Sequence, residues 1–311
     1  MKAFKTLAGA STVATFLLIS IGGLVRATKS GLGCGDDWPD CSGQLIPALQ
    51  QRAQVIEYSH RLAAAVVVVL LATLVVFAFR YHRTEPRILW ATVAAFGLVM
   101  FQAILGMIVV VLHLNAISVV LHLGTALSLL ALLIYISAAV REPADHVGDD
   151  ALSKRARFAA GSVFVLLLVG SYVSGADAGY AFPDWPLMDG SVIPDLGVES
   201  KAIHFFHRAL AGIVGVIVFV VTFDIIKKGA EYPGARRFAQ GAAGLYAIEV
   251  AIGAMNVWTR LNSAAVTAHL AIGAAIWGTL VAATFLTSPA VARSERAGMA
   301  ARATVAEVSG S

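Results

Sequence analysis

Eight runs of roughly 20 apolar residues account for most of the chain, at about 7–25, 56–79, 88–111, 117–138, 157–174, 202–226, 237–257 and 264–286. A helix rising 1.5 Å per residue needs about 20 such residues to cross a hydrocarbon core of ~30 Å. Only 14% of the 311 residues are charged and 58% are hydrophobic, whereas soluble domains carry roughly a quarter charged residues. Strand-type alternation, which a membrane barrel requires, is absent from the runs. A helix satisfies its own backbone polar groups where lipid offers no partner. The fold class is therefore an all-α integral membrane protein with eight transmembrane helices.

Lys and Arg in the connections set the orientation. They gather at Lys2 and Lys5, at Arg80, Arg83 and Arg87, at Arg141, Lys154, Arg155 and Arg157, at Lys227, Lys228, Arg236 and Arg237, and in the tail at Arg293, Arg296 and Arg302. All lie on one side of an eight-span arrangement, while Asp36, Asp37, Asp40, Asp184, Asp189 and Asp195 lie on the other. Both termini are expected in the cytoplasm, in a multi-pass protein of the cell membrane. The net charge of +4 follows from this topology and calls for no nucleic-acid partner. The first run, with its charged start and small residues near Ala27, also fits a signal peptide. An internal repeat gives that run a counterpart later in the chain, so it reads as a retained span.

The repeat appears on shifting the sequence by 147 positions. "DWP" at 37–39 meets 184–186, "IP" at 46–47 meets 193–194, "HR" at 60–61 meets 207–208, Gly106 meets Gly253, "LN" at 114–115 meets 261–262, and "HL" at 122–123 meets 269–270. Four spans per copy is an even number, so the copies insert in the same orientation, about an axis along the membrane normal. The expected architecture is two pseudo-twofold related four-helix bundles, 1–140 and 157–287. A polar linker, 141–156, joins them, and a disordered cytoplasmic tail, 288–311, follows.

Four of the eight histidines belong to this pattern. His60, His122, His207 and His269 each lie one or two turns inside the same end of an even-numbered span, so His60 can face His122 and His207 can face His269. Ionisable residues at membrane depth are costly and usually serve a site, although a single one is often a hydrogen-bonded packing residue. His82 and His146 fall in cytoplasmic connections and read as solvated. Zinc needs four ligands, and a di-iron carboxylate site needs several Glu with Glu-x-x-His motifs; neither set is present. Haem needs two axial ligands and has an apolar macrocycle, which favours one haem per bundle. Arg61 and Arg208, next to the histidines, are candidate propionate contacts, or equally arginines snorkelling at the interface.

Three differences between the copies bear on chemistry. Glu57, one turn before His60 and on the same helix face, has His204 as its counterpart. A carboxylate there can accept a proton or stabilise developing positive charge beside a haem, or simply pair with Arg61. Cys34 and Cys41, the only cysteines, lie in the first outer loop and read as a disulfide, either structural or redox-active. Glu249, opposite Gln102, is a candidate proton-relay group or a hydrogen-bonded interior acid. His204 competes with His207 as a ligand, but its counterpart is not histidine, which favours His207. His113 and Arg260 correspond in short connections as further candidate propionate contacts.

Duplicated four-helix units, the "EYSHR" with Glu57 three before His60, one candidate ligand histidine on each even span and a cysteine pair in the first outer loop together resemble the haem A synthase family, over about residues 5–287. The cysteine pair is similar to the Gram-positive type of that family. The resemblance implies oxidation of the C8 methyl of haem O to a formyl group by two successive hydroxylations, giving haem A for terminal oxidases. It implies His60 and His122 as ligands of the substrate haem, His207 and His269 as ligands of a haem b cofactor, Glu57 as catalytic acid, and Cys34–Cys41 as an outer disulfide. It also implies a haem O synthase as substrate supplier and an electron-transfer partner.

Without that resemblance, two haems and a carboxylate equally suit a di-haem b-type cytochrome linked to quinol. A conduit across the bilayer favours haems at different depths, whereas these four histidines share one depth. A transporter predicts broken helices or opposed charges at the midplane, and only Glu249 lies there. Small residues such as Gly212 and Gly215 fit packing within a bundle as well as an oligomer face.

Overall fold

The computed structural model describes residues 2–47, 50–140 and 148–289. Among them are eight helices long and apolar enough to cross a membrane: α1 (Lys2–Ala27), α2 (Arg52–Tyr81), α3 (Pro86–Val111), α4 (Ala116–Ala139), α5 (Asp150–Gly175), α6 (Glu199–Lys227), α7 (Pro233–Trp258) and α8 (Ser263–Thr287). Each contains its expected apolar run and extends it by up to seven residues at an end. Local sequence fixes several ends. Pro86 and Pro233 open α3 and α7, where the missing N–H has no partner to lose. Asn115 and Asn262 cap α4 and α8 by accepting from the backbone N–H of Ile117 and Ala264, one of the donors a helix start leaves unpaired.

Helix α1 packs on α2 and α4, α2 on α3, and α3 on α4; α5 packs on α6 and α8, α6 on α7, and α7 on α8. Two four-helix groups result, and they meet through α4 with α5, α1 with α8, and α4 with α8. The first two of these contacts exchange under the repeat, and the third joins equivalent helices. Glycines allow the close approaches: a Cβ on Gly23 of α1 would lie 2.8 Å from Leu270 of α8, and one on Gly175 of α5 would lie 2.6 Å from the Cβ of Ala116. Arg26 adds a polar tie between the halves, its Nη2 donating to the Ser174 carbonyl at 2.6 Å.

The repeat extends to backbone detail. Cis Trp–Pro bonds occur at 38–39 and 185–186, left-handed residues at His113 and Leu114 recur at Arg260 and Leu261, and the bridge Cys41–Gln44 recurs as Met188–Ser191. The first helix of each half follows a shift of 148: Ser30 N–H donates to the Val25 carbonyl as Ala178 N–H does to Val173. One residue is thus lost between the end of α5 and the second Asp-Trp-Pro, relative to the first copy, a slip that the 147-residue alignment of the later helices does not reveal.

Two expectations need correction. Helix α5 starts at Asp150, inside the linker expected at 141–156. Asp149 caps it by accepting from Leu152 N–H, and Leu152, Ser153 and Ala156 are buried. These residues thus join the second helical unit despite their polar neighbours. His82 is not solvated: it is 2% exposed, its ring centroid 4.4 Å from that of Phe4 and its Nδ1 3.1 Å from Glu85. The fold of α1 beside the end of α2 covers it. His146, the rest of the linker at 141–147 and the tail from 290 lie outside the described residues.

Candidate functional site

The long connections α1–α2 and α5–α6 fold back over the N-termini of α2 and α6, and the paired histidines lie beneath them. In the first half, Glu57 is 4% exposed and both of its carboxylate oxygens are engaged. Oε1 is 2.6 Å from Arg61 Nη2, and Oε2 accepts from the backbone N–H of Cys34 at 2.9 Å. Such charge-assisted bonds are the stronger kind. Arg61 Nη1 donates to the carbonyls of Asp37 at 2.8 Å and Asp40 at 2.6 Å. Cys34 and Cys41 form a disulfide with Cα atoms 4.5 Å apart, and both are fully buried. Gly33 lies so close to α2 that a Cβ there would collide with the Ala53 main chain. The disulfide-closed loop is therefore pressed onto the helix that carries Glu57.

The second half repeats this frame with different chemistry. Arg208 Nη1 donates to the carbonyls of Asp184 and Leu187, each at 3.1 Å, the positions equivalent to Asp37 and Asp40. Its Nε donates to Nε2 of His204 at 3.0 Å, where Glu57 stands in the first half. His204 is buried against Phe182, and its Nε2 is occupied. This observation favours His207 as the second-half ligand. No disulfide closes this loop; instead, Asp184 accepts backbone N–H bonds from Asp189 and Gly190 at 2.8 and 2.9 Å. Gly190 first, then Asp189, holds the Asp184 carboxyl below its ordinary range.

The ring centroids of His207 and His269 are 6.5 Å apart, with the ring planes at 79°. One metal bonded to a nitrogen of each ring at about 2 Å, with roughly 1 Å from nitrogen to centroid, spans that gap. The residues thus fit a bis-histidine haem. Among the described residues, no group of three His, Cys, Asp or Glu is gathered to hold a bare metal ion. All four facing histidines rest on glycines of odd-numbered helices. A Cβ on Gly22 would lie 3.2 Å from His60 Cε1, on Gly106 3.5 Å from His122, on Gly170 3.2 Å from His207, and on Gly253 3.4 Å from His269. An imidazole can lie flush against a neighbouring helix only where no side chain intervenes.

The arginines placed as candidate propionate contacts are mainly clamps on the long loops. Arg208 Nη2 is a buried donor with no hydrogen-bond partner among the described residues. His113 Nε2 lies 3.7 Å from Asp36, both well exposed. The glycine seats and the Cys34 amide escaped residue-level reasoning. The Gly106–Gly253 identity, and the Gly22–Gly170 identity at the 148 offset of the first helices, are the signals in the repeat for the seats.

The fold and site define a class: a multi-pass, internally duplicated membrane protein with facing histidines suited to haem in each half. The chain matches the family described as Cytochrome oxidase assembly protein over residues 5–281. It is 30% identical over 291 residues to "Heme A synthase" of Lysinibacillus sphaericus (strain C3-41), covering 89% of this chain and 92% of the relative. It is 29% identical over 299 residues to "Heme A synthase" of Symbiobacterium thermophilum, covering 93% and 97%. The chain belongs to the haem A synthase family of cytochrome oxidase assembly proteins.

Proposed function

We propose that this chain is a membrane oxidoreductase converting haem O to haem A, with the two halves dividing the work. The first half holds the substrate between His60 and His122, and the second holds haem b between His207 and His269. The C8 methyl is hydroxylated twice, and the resulting gem-diol loses water to leave the formyl group. The net change at that carbon is the loss of two hydrogens, the gain of one oxygen and the removal of four electrons. Haem b supplies one-electron redox chemistry next to the substrate half and calls for an electron-transfer partner.

Glu57 is the group proposed to act on the substrate. Arg61 and the Cys34 N–H fix its carboxylate one turn from His60, where a fixed negative charge stabilises positive charge developing at the methyl carbon or accepts its proton. The observation that carries this reading is the replacement of Glu57 by His204 in an otherwise duplicated frame. A scaffold that keeps the clamp arginine and the ligand in both halves but the acid in only one points to chemistry in that half. Arg61 and Arg208 remain proposed propionate contacts, through donors left over from their loop clamps. Both termini are proposed to be cytoplasmic, with the long loops outside, and a haem O synthase is the proposed supplier.

Co-expression with a haem O synthase in a host lacking haem A, followed by haem extraction and chromatography, tests the proposal. Haem A or its hydroxylated intermediate is expected from the wild type and much less from Glu57→Ala. Unchanged haem O alongside haem b, in a well-expressed protein with a working redox supply, would point instead to a di-haem electron-transfer cytochrome.

A further inference from the structure

We propose that Glu249 is a positioning residue for His269 and lowers the electron affinity of the haem held in the second half, an inference that rests on assigning haem b to that half. Glu249 lies on α7, with Oε1 3.2 Å from Nδ1 of His269. Gly273, one turn beyond His269 on α8, leaves the notch the carboxylate fills: a Cβ there would lie 3.1 Å from Oε1. The other oxygen, Oε2, is buried without a hydrogen-bond partner among the described residues. Among those residues, His269 is the one facing histidine with a carboxylate at ion-pair distance.

The first half shows what the same position does without the charge. Gln102 is the counterpart of Glu249, and it turns to the main chain. Its Nε2 donates to the His122 carbonyl at 2.9 Å and to the Thr125 hydroxyl, and no carboxylate stands at ion-pair distance from the His122 ring among the described residues. Thr125 has Ile272 as its counterpart, which has no hydroxyl to hold a side chain at 249 away from the ring. Two substitutions in the repeat thus act together: one supplies a carboxylate, and the other removes its competing partner.

A histidine that binds metal through Nε2 carries its proton on Nδ1, and a carboxylate there fixes the tautomer and ring orientation and makes the ligand more basic. A more basic axial ligand favours the oxidised metal, one of the ways a protein sets a haem potential. The half with Glu249 is thereby suited to giving up electrons, and the half with Gln102 lacks this device.

The test is a redox titration of the purified full-length protein carrying haem b, followed by its visible absorption. Glu249→Gln keeps the shape and removes the charge. It is expected to shift the reduction equilibrium about tenfold toward the reduced form, ~59 mV for one electron, with haem content and the low-spin spectrum retained. Full haem content at the wild-type potential overturns the proposal. Should Glu249→Gln lose its haem, Glu249→Asp and Glu249→Asn decide: retention by Asp alone supports the carboxylate, and equal behaviour overturns it. A His269→Ala protein with its full complement of haem b would sink the haem assignment itself, separately from the role of Glu249.

Discussion

Glu57 and Arg61, one turn apart on α2, form a 2.6 Å ion pair, while at the equivalent positions of α6 Arg208 donates to the neutral acceptor His204. Both arginines then reach the same two carbonyl positions of the loop above. The clamp is common to the two halves, and the acid is confined to one. The carboxylate thus stands in a frame that is stable without it, as expected of a group kept for chemistry rather than folding.

Removing Arg61 leaves the Glu57 carboxylate buried with only the Cys34 amide as partner. Breaking one side of a buried pair typically costs about 3–5 kcal/mol, and Arg61→Ala is predicted to fall near the lower end, because its side chain retains 15% exposure. Thermal unfolding in detergent checks this. Arg208→Ala is predicted to cost less, since it strands no carboxylate.

Cys34→Ser with Cys41→Ser opens a loop closed over a sequence separation of seven, for which chain entropy suggests a loss of about 2.5 kcal/mol. Because Cys34 N–H also holds Glu57, haem A yield is predicted to fall by more than the loss of folded protein explains. A yield that simply tracks the folded fraction would show that the amide contact is dispensable.

A methyl group on Gly22 or Gly170 meets an imidazole edge at 3.2 Å, closer than at Gly106, where the distance is 3.5 Å. Gly22→Ala and Gly170→Ala are predicted to tilt His60 and His207 and to weaken haem retention by about tenfold, the low end for disturbed ligand orientation. Gly106→Ala should be milder. Haem content and visible spectra of the three purified variants give the order.

Asp184 closes the second long loop by accepting two N–H bonds, and its carboxyl lies below its ordinary value in consequence. A depressed folded value means that the stabilisation is complete above the ordinary value of 3.8 and disappears as pH falls through the depressed one. Protease resistance of the 182–195 loop is predicted to hold from neutrality to about pH 4 and to fall below it. The first loop, closed by a disulfide, should show no such transition.

The eight spans, the duplication and the facing histidines were legible because each rests on a strong local signal: about 20 apolar residues per span, a constant offset, and a polar residue in an apolar run. The helical start at Asp150 was not, because its capping and burial depend on α8 packing against a stretch rich in charge. The burial of His82 is hidden from its local sequence because its cover, Phe4, comes from a helix some 80 residues away in sequence. The Cys34 contact to Glu57 runs through a backbone amide, which leaves no trace in side-chain identity. The pairing of Glu57 with Arg61, by contrast, follows from their i,i+4 spacing.

The most direct test of the division between halves is the haem content of His60→Ala and His207→Ala proteins, each co-expressed with a haem O synthase and extracted after purification. The first is predicted to keep haem b and lose haem O and haem A, and the second to lose haem b while still binding haem O. Loss of haem b from the His60→Ala protein, with haem O retained, would contradict the assignment.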